Sequence, residues 1–213
     1  GRHLFVALFS YLCPRGIQIR SYHQCYSAGA LQVNMFYIDE RADNCAKWAV
    51  DSHCVKMILE ASQLLSTAHR LLDGVEYIDK TKTGRNVKRW RLNDWRENKL
   101  YSATHMNHPC AVWCRETSAN YRWLHDLTIE YCLEYTHRYG KTHKVESIGL
   151  MQHLKNNFPK NIPNGKFTEP TPAMPDQYKV QNDSIESYRN YYRGAKASIS
   201  GWKNRTIPEW FSQ

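Results

Sequence analysis

The sequence predicts an all-α protein, a single compact helical domain with long loops. Three observations support this fold class: apolar residues recur at helical spacing in three segments, capping residues and glycines stand at their ends, and no alternating strand pattern of useful length occurs. The 213 residues are 42% apolar, which is enough for one domain with a sizeable core. We therefore expect one α-helical domain over 35–213.

Residues 1–34 differ in pattern from the rest of the chain and form an N-terminal extension of uncertain status. Their apolar run, LFVALFSYL, is much shorter than the ~20 residues that cross a bilayer, and no other stretch is long enough. It also fits poorly as a signal peptide, because the small residues SAGA at 27–30 come too far downstream for cleavage. Met35 opens a clean pattern, so we expect the natural protein to begin there.

The first long helix is expected from about Asp43 to Leu72. Its apolar residues recur at 54, 57, 58, 61, 64, 65, 68, 71 and 72, and Asp-Gly at 73–74 ends it. One sector of this helix is polar and holds the following residues: His53, Lys56, Glu60, Gln63, Thr67 and Arg70. This polar line is either a solvated face, with Lys56 and Glu60 as an i,i+4 pair worth ~0.3 kcal/mol, or a set of groups with a chemical role.

The second long helix is expected to open at the motif NHP, residues 107–109, because proline suits a first helical turn. It continues to Tyr139, and Gly140 ends it. A shorter helix is expected over 145–157, and the proline-rich segment that follows it should be a loop.

The last helix begins at the motif DSIE, in which Asp183 and Glu186 have capping-box spacing, and continues to about Lys196. It mixes cations with aromatic rings, as nucleic-acid contacts do. Its candidates for DNA binding are Tyr188, Arg189, Tyr191, Tyr192 and Lys196.

The net charge of +9 favours a polyanionic partner, and the segment Lys80–Lys99 concentrates that charge. It holds eight Lys or Arg against two acids, and two tryptophans are interleaved with the cations. Phosphates attract the cations, and unstacked bases pack on aromatic faces. The candidates for DNA binding here are Arg85, Lys88, Arg89, Trp90, Arg91 and Trp95. The alternative is a solvated loop whose tryptophans pack on the core.

Two polar clusters flank the second long helix. His105, Asn107 and His108 precede it, where they cap the helix, bind a phosphate, or do both. The cations that follow it favour its C-terminal end whether or not DNA is present, and the candidates are Arg138, Lys141 and His143.

Seven cysteines form no CxxC pair, and several of them fall inside helical patterns among core residues, which favours a reduced, intracellular protein. We expect it in the cytoplasm, that of the host cell if the protein is viral. Cys110 and Cys114 lie one turn apart and could ligate a metal with a histidine, but no second ligand pair accompanies them. We therefore expect no metal and no cofactor.

Several motifs over most of 35–213 resemble the pyrimidine-dimer DNA glycosylases with AP-lyase activity, the endonuclease V type first known from a bacteriophage. They are MFYIDE, HCVKMILE, NHPCAVW with NYRWL, LEYTHRYGKTHK and YRNYYRGAKA, in the same order as in that family. The resemblance implies an endonuclease V-like single all-α domain, double-stranded DNA as partner, and a phage or viral relative. It also implies that Glu60 is the catalytic carboxylate, that His53 lies near the lesion, and that an N-terminal α-amine is the nucleophile.

The nucleophile departs from the family pattern. Phe36 follows Met35, and a bulky second residue normally prevents removal of the initiator methionine. The amine therefore comes either from Met35 itself or from Lys56, which lies one helical turn from Glu60. Gln63, one further turn along, is a candidate for substrate binding.

Two alternatives remain open. The first is a nucleic-acid-binding protein without chemistry, whose binding would depend strongly on salt. The second is a metal-dependent phosphoesterase using His53, His105, His108 and a carboxylate. For the glycosylase we expect a monomer that binds double-stranded DNA and no membrane.

Overall fold

A long central helix organises residues 33–212, which are the part of the chain that this computed structural model describes. These residues are mostly helical, with one two-stranded sheet. The helices are α1 (Ala42–Trp48), α2 (Asp51–Asp73), α3 (Pro109–Glu116), α4 (Ser118–Tyr139), α5 (Lys144–Ser147), α6 (Leu150–Lys155) and α7 (Ser184–Arg193), and the strands are β1 (Val75–Lys80) and β2 (Asn86–Arg91). Short 3₁₀ turns lie at Trp95–Asn98, Asp176–Tyr178, Ala197–Ile199 and Glu209–Phe211.

The folded unit begins before Met35. Val33 and Asn34 are buried in it, so they belong to the domain and not to the extension expected over 1–34. The rest of that extension, residues 1–32, lies outside the described residues.

The first predicted helix forms as two helices. Ala49 and Val50 adopt extended backbone angles between α1 and α2, and this break allows the Asp51 N–H to bond the Gly201 carbonyl at 2.8 Å. The expected end is confirmed, because α2 stops at Asp73 and Gly74 follows. A Cβ on Gly74 would lie 2.4 Å from the Arg70 carbonyl oxygen, which explains the glycine at this close approach.

The second predicted helix is also divided. Thr117 has extended backbone angles between α3 and α4, and its hydroxyl caps α4 by accepting from the Asn120 N–H. The predicted ends are confirmed: Pro109 begins α3, and Gly140 follows α4 in the left-handed conformation with φ 62°.

The later helices are shorter than expected. Gly149 has φ 71° and separates α5 from α6 within the helix predicted over 145–157. The Asp183 side chain caps α7 by accepting from the Glu186 N–H at 2.8 Å, as the capping-box spacing predicts. The Glu186 side chain bonds Arg193 instead of completing the box, and α7 ends there, before Lys196.

The strands correct the all-α expectation. β1 and β2 pair as an antiparallel hairpin, in register from Val75 opposite Arg91 to Lys80 opposite Asn86, where the sequence predicts a loop. No residue of this hairpin is buried, and apolar and polar residues do not alternate along the full length of either strand, as they do in a half-buried strand.

The core lies around α2, which packs against α3 and α4, while α1 packs against α4. Large aromatic side chains fill it: Trp113, Tyr121, Tyr131, Tyr188 and Tyr192 are all buried. Within residues 33–212, no helix combines the length and the apolar character that a bilayer crossing requires.

One buried polar group shows how α2 is held. Arg96 Nη1 donates to His69 Nδ1 at 2.9 Å, so the neutral ring carries its proton on Nε2, which lies 2.7 Å from the Tyr121 hydroxyl. Burial lowers the pKa of His69 to about 3, and the neighbouring Arg96 acts in the same direction. His69 is therefore neutral in the folded protein throughout the ordinary pH range.

Replacing His69 should change how stability depends on pH. Because the folded-state pKa is depressed, the contribution of His69 is present above its ordinary pKa of ~6.5 and is lost as the pH falls toward the folded value. We expect His69→Gln to reduce the slope of unfolding free energy against pH by about 1.4 kcal/mol per pH unit between about pH 6 and 4. Urea denaturation across this range measures it.

The glutamine can accept from Arg96 and donate to the Tyr121 hydroxyl, so it serves as a near-isosteric replacement. An unchanged slope in His69→Gln would show that the histidine does not resist protonation in the folded state.

Candidate active site at Glu60

The polar line predicted on α2 is not a solvated face. Its ends are buried: His53 is 1% exposed, and Thr67 and Arg70 bond other segments of the chain. Its middle, which holds Lys56, Glu60 and Gln63, is partly exposed. The chemistry that α2 can offer to a substrate is therefore restricted to about two turns of the helix.

Glu60 is held by two nitrogens at this opening. Its Oε2 accepts from the Asn34 backbone N–H at 3.3 Å, and its Oε1 lies 3.7 Å from Lys56 Nζ. The Glu60 side chain is 20% exposed and that of Lys56 is 37% exposed. The carboxyl group is thus mostly buried but accessible from the side on which the lysine lies.

The surroundings oppose ionisation of Glu60. Burial raises the pKa of this carboxyl above its ordinary value, and the charges of Lys56 and Lys196 and the Asn34 N–H offset only part of that effect. The group therefore keeps its proton to higher pH than a solvated glutamate, which suits a side chain that exchanges protons with a substrate.

The backbone nitrogen facing Glu60 belongs to Asn34 and not to Met35, which was one of the two amine sources expected from the sequence. The Met35 nitrogen is a peptide N–H that donates to the Asn34 side-chain oxygen at 2.8 Å, and the Met35 side chain is buried. The side-chain Nδ2 of Asn34 donates to the Ala173 carbonyl at 2.7 Å, which holds this segment against the proline-rich loop. Sequence inspection missed Asn34 because it precedes the expected start of the domain.

A second wall of the site comes from the C-terminal segment. Lys196 Nζ lies 4.8 Å from the centre of the Tyr191 ring, and Tyr178 packs on the same ring at 5.3 Å. Lys196 also lowers the pKa of Glu60, so it lies within electrostatic range of the carboxyl. The structure thus brings together three of the predicted residues, Lys56, Glu60 and Lys196, from two distant parts of the chain.

A strained residue lies behind this site. Phe36 has φ 51°, in the left-handed region that an aromatic residue rarely adopts, and its ring stacks on His53 with centroids 3.9 Å apart. Strained backbone of this kind costs about 1–3 kcal/mol and is concentrated at functional sites. Sequence reasoning offered no signal for it.

Three residues predicted to bind DNA are core residues instead. His53 shares a 2.7 Å hydrogen bond with the Tyr192 hydroxyl, and Tyr188 is fully buried beside them. Burial lowers the pKa of His53 well below its ordinary value, with smaller effects from Lys56 and Lys196, so the ring is neutral. None of the three can contact DNA in this structure.

Arg138 and His143 are also structural. Arg138 is buried and donates to Glu134, Asp51 and the Lys47 carbonyl, so its charge is paired inside the protein and does not face solvent. The buried His143 caps α5 by accepting from a backbone N–H. Of that predicted group, Lys141 alone is exposed.

Of the three predicted residues before α3, one has a structural role and two are exposed. His108 caps α3 by accepting from the Cys110 N–H at 3.2 Å, as the capping alternative predicts, and His105 and Asn107 are exposed. In α7, Tyr191 is buried, and Arg189 donates to the Ile38 carbonyl at 3.0 Å.

The residues of the basic segment remain accessible. Arg85, Lys88 and Arg91 are exposed on the hairpin, while Arg89 and Trp90 are half-buried there. Trp95 is exposed beside the hairpin, with its ring centroid 5.4 Å from that of His153. The alternative in which both tryptophans pack into the core is thus wrong for Trp95.

The phosphoesterase alternative gains no support from the geometry. Within residues 33–212, no three His, Cys, Asp or Glu side chains are grouped as a metal site. His53 is enclosed by core aromatic rings, whereas His105 is exposed. The described cysteines are free and buried, and burial raises the pKa of Cys110 to about 12, which makes it a poor ligand or nucleophile.

Comparison with protein-family models, with curated proteins and with solved structures finds no match to this chain. The function must therefore be argued from the site itself.

Glu60→Gln should stabilise the protein at neutral pH. Because the folded-state pKa of Glu60 is raised, its contribution to stability is present below its ordinary pKa and is lost as the pH rises through the raised value. We expect the variant to be more stable than the native protein at about pH 7 and nearly unchanged at about pH 3.5, as measured by urea denaturation.

Glu97→Gln provides a control for which the change in stability at pH 7 should have the opposite sign. Burial acts to raise the pKa of Glu97, but hydrogen bonds from the Leu92 N–H and Arg70 outweigh it and lower the pKa. This substitution should destabilise the protein at pH 7 by ~1 kcal/mol, allowing for solvent screening. If both variants shift the free energy of unfolding at pH 7 in the same direction, the raised pKa of Glu60 is wrong.

Proposed function

We propose that this protein is a DNA repair glycosylase with AP-lyase activity that acts on pyrimidine lesions in duplex DNA. The observation that carries the proposal is the carboxyl of Glu60, which is poorly solvated and has a raised pKa, beside an accessible amine at 3.7 Å. A carboxyl and an amine in contact are the two groups that this chemistry requires. The resemblance of the helix motif HCVKMILE to the endonuclease V type supports the same assignment and an endonuclease V-like fold.

The first step is the loss of the damaged base. The amine attacks C1′ of the sugar as the glycosidic bond breaks, and the departing base takes the bonding electron pair and is protonated. A carboxylate beside C1′ stabilises the positive charge that develops on the sugar. The amine proton passes to Glu60 and from there to the ring oxygen as the bond between C1′ and that oxygen breaks. This leaves a Schiff base between enzyme and DNA and returns Glu60 to its carboxylate form.

The second step is strand cleavage by elimination. Removal of a proton from C2′ shifts electrons toward the Schiff base and expels the 3′ phosphate, which breaks the strand. We assign this proton to Glu60, since its raised pKa makes it a stronger base than a solvated carboxylate. Water then releases the sugar fragment from the amine.

Two nitrogens can supply the amine. In the chain given, the accessible one is Lys56 Nζ, because the Asn34 nitrogen is a peptide nitrogen. A chain that began at Asn34 would instead carry an α-amine 3.3 Å from Glu60. An α-amine ordinarily has a pKa of ~8 against ~10.4 for a lysine, so more of it is unprotonated at neutral pH.

The surroundings fit a basic DNA-binding protein. The net charge of +9 and the exposed cations of the hairpin suit duplex DNA. Free, buried cysteines suit the reducing cytoplasm, in which we place a monomer needing no metal or cofactor.

A non-enzymatic DNA-binding protein is the second candidate. The exposed basic hairpin favours it, because that surface needs no chemistry at Glu60. Such a protein would bind duplex DNA without preferring lesions and would form no covalent intermediate.

Borohydride trapping distinguishes these functions. The protein is incubated in EDTA with duplex DNA bearing a thymine dimer or an abasic site, and any adduct is mapped by mass spectrometry. We expect an adduct on Lys56 in the chain given, and on the α-amine in a chain begun at Asn34. Glu60→Gln should reduce trapping at least about 100-fold while leaving binding largely intact.

Lys56→Arg is the matched control for the chain given, because arginine keeps the charge but does not form a Schiff base. A chain begun at Met35 should place no α-amine at Glu60. Binding without any adduct, or equal loss of binding and trapping in Glu60→Gln, would favour the DNA-binding protein instead.

A further inference from the structure

The β1–β2 hairpin projects from the helical body. Val75 is 60% exposed and Ile78 is 58% exposed, although both are apolar residues of a strand. The hairpin is nevertheless fixed at its base, where the Arg70 guanidinium donates to the Trp90 carbonyl at 2.8 Å and to Glu97 at 2.8 Å. A ribbon that is anchored at one end and has no buried residue can contact a partner.

The charge of the ribbon increases toward its tip. Glu76, near the base, pairs with Lys88 at 2.8 Å, and Asp79, next to the tip, pairs with Arg89 at 2.9 Å. At the tip, three cations carry no ion pair within residues 33–212: Lys80, Lys82 and Arg85. The two acids of the ribbon are thus neutralised locally, and the tip presents positive charge to a partner.

One face of the ribbon combines groups that can contact base edges. Side chains alternate along a strand, so one face holds Ile78, Lys80, Asn86 and Lys88 together with Glu76 and Trp90. On this face Lys88 neutralises Glu76, and Lys80 donates to the Asn86 side-chain oxygen at 3.0 Å. An asparagine can bond adenine, and an apolar side chain can contact the thymine methyl group, both in the major groove.

The dimensions fit the same groove. Two paired strands lie about 4.8 Å apart, and six residues extend about 20 Å, whereas the major groove is about 12 Å wide and admits a two-stranded ribbon. The minor groove, at about 6 Å, is too narrow for the paired strands and their side chains.

We propose that the β1–β2 hairpin enters the major groove of duplex DNA, with the face of Ile78 and Asn86 toward the bases and with Lys80, Lys82 and Arg85 on the phosphates. The inference rests on the duplex DNA of the proposed function but not on the amine chemistry. The hairpin begins about 20 Å from Glu60 along α2, since 13 residues separate Glu60 from Asp73 at a rise of ~1.5 Å each. The base of the hairpin and Glu60 are therefore separate surfaces of the protein.

The first test neutralises the tip in the full chain, as Lys80→Gln, Lys82→Gln and Arg85→Gln combined. The matched control removes three exposed lysines elsewhere, as Lys144→Gln, Lys155→Gln and Lys166→Gln. Affinity for an undamaged duplex is measured across salt concentrations. The tip variant should bind at least about tenfold more weakly, and its salt slope should fall by about 0.9 for each lost phosphate contact.

The second test identifies the groove. Duplex DNA in which glucosylated 5-hydroxymethylcytosine replaces cytosine carries bulky groups in the major groove. The native protein should bind it at least about tenfold more weakly than plain duplex, whereas the minor-groove ligand netropsin should not compete. Undiminished binding to the glucosylated duplex would overturn the proposal.

The outcomes separate this proposal from that for Glu60. If the tip variant loses duplex affinity but the native protein gives no borohydride adduct, the hairpin binds DNA and the glycosylase assignment fails. If the adduct forms on an abasic site and the tip variant binds duplex as the lysine control does, the hairpin proposal fails alone. Self-association of the native protein that the tip variant abolishes, without an effect on DNA affinity, would also overturn it.

Discussion

The structure depends on one constraint, which is that the central helix α2 is buried while carrying polar side chains. A polar group removed from water must find a partner, because leaving it unpaired costs about 1–3 kcal/mol. Each buried polar side chain of the predicted line finds one on another segment: His53 bonds Tyr192 of α7, Thr67 bonds Thr104, and Arg70 bonds carbonyls beside the hairpin. These bonds fix how α7 and the hairpin are placed around the helix.

Glu60 differs from these residues in how well its partners compensate for burial. It is mostly enclosed, yet its partners only partly offset the cost of burying its charge, so the raised pKa reflects a loss of stability at neutral pH. Natural proteins retain such local costs where function requires them. The strained backbone at Phe36, on the same side of the helix, is a second cost within a short distance along the chain from Asn34.

The two proposed surfaces share a structural origin in α2. Glu60 lies in the exposed middle of the helix, whereas the hairpin follows directly from its C-terminal end and is anchored there by Arg70. Because the guanidinium bonds both the Trp90 carbonyl and the Glu97 carboxylate, the base of the ribbon cannot move independently of the helix. Recognition at the ribbon and chemistry at Glu60 would therefore be held in a constant relation on one rigid element.

The sequence by itself determined the features that depend on neighbouring residues. The helical class, the stops at Gly74 and Gly140 and the cap at Asp183 follow from local spacing and backbone preference. Only the tertiary structure decided which polar residues are buried, as for His53 and Arg138, and which nitrogen faces Glu60. Those outcomes depend on contacts between distant segments. The hairpin was not predicted because none of its residues is buried, so its sequence needs no regular alternation of apolar and polar residues.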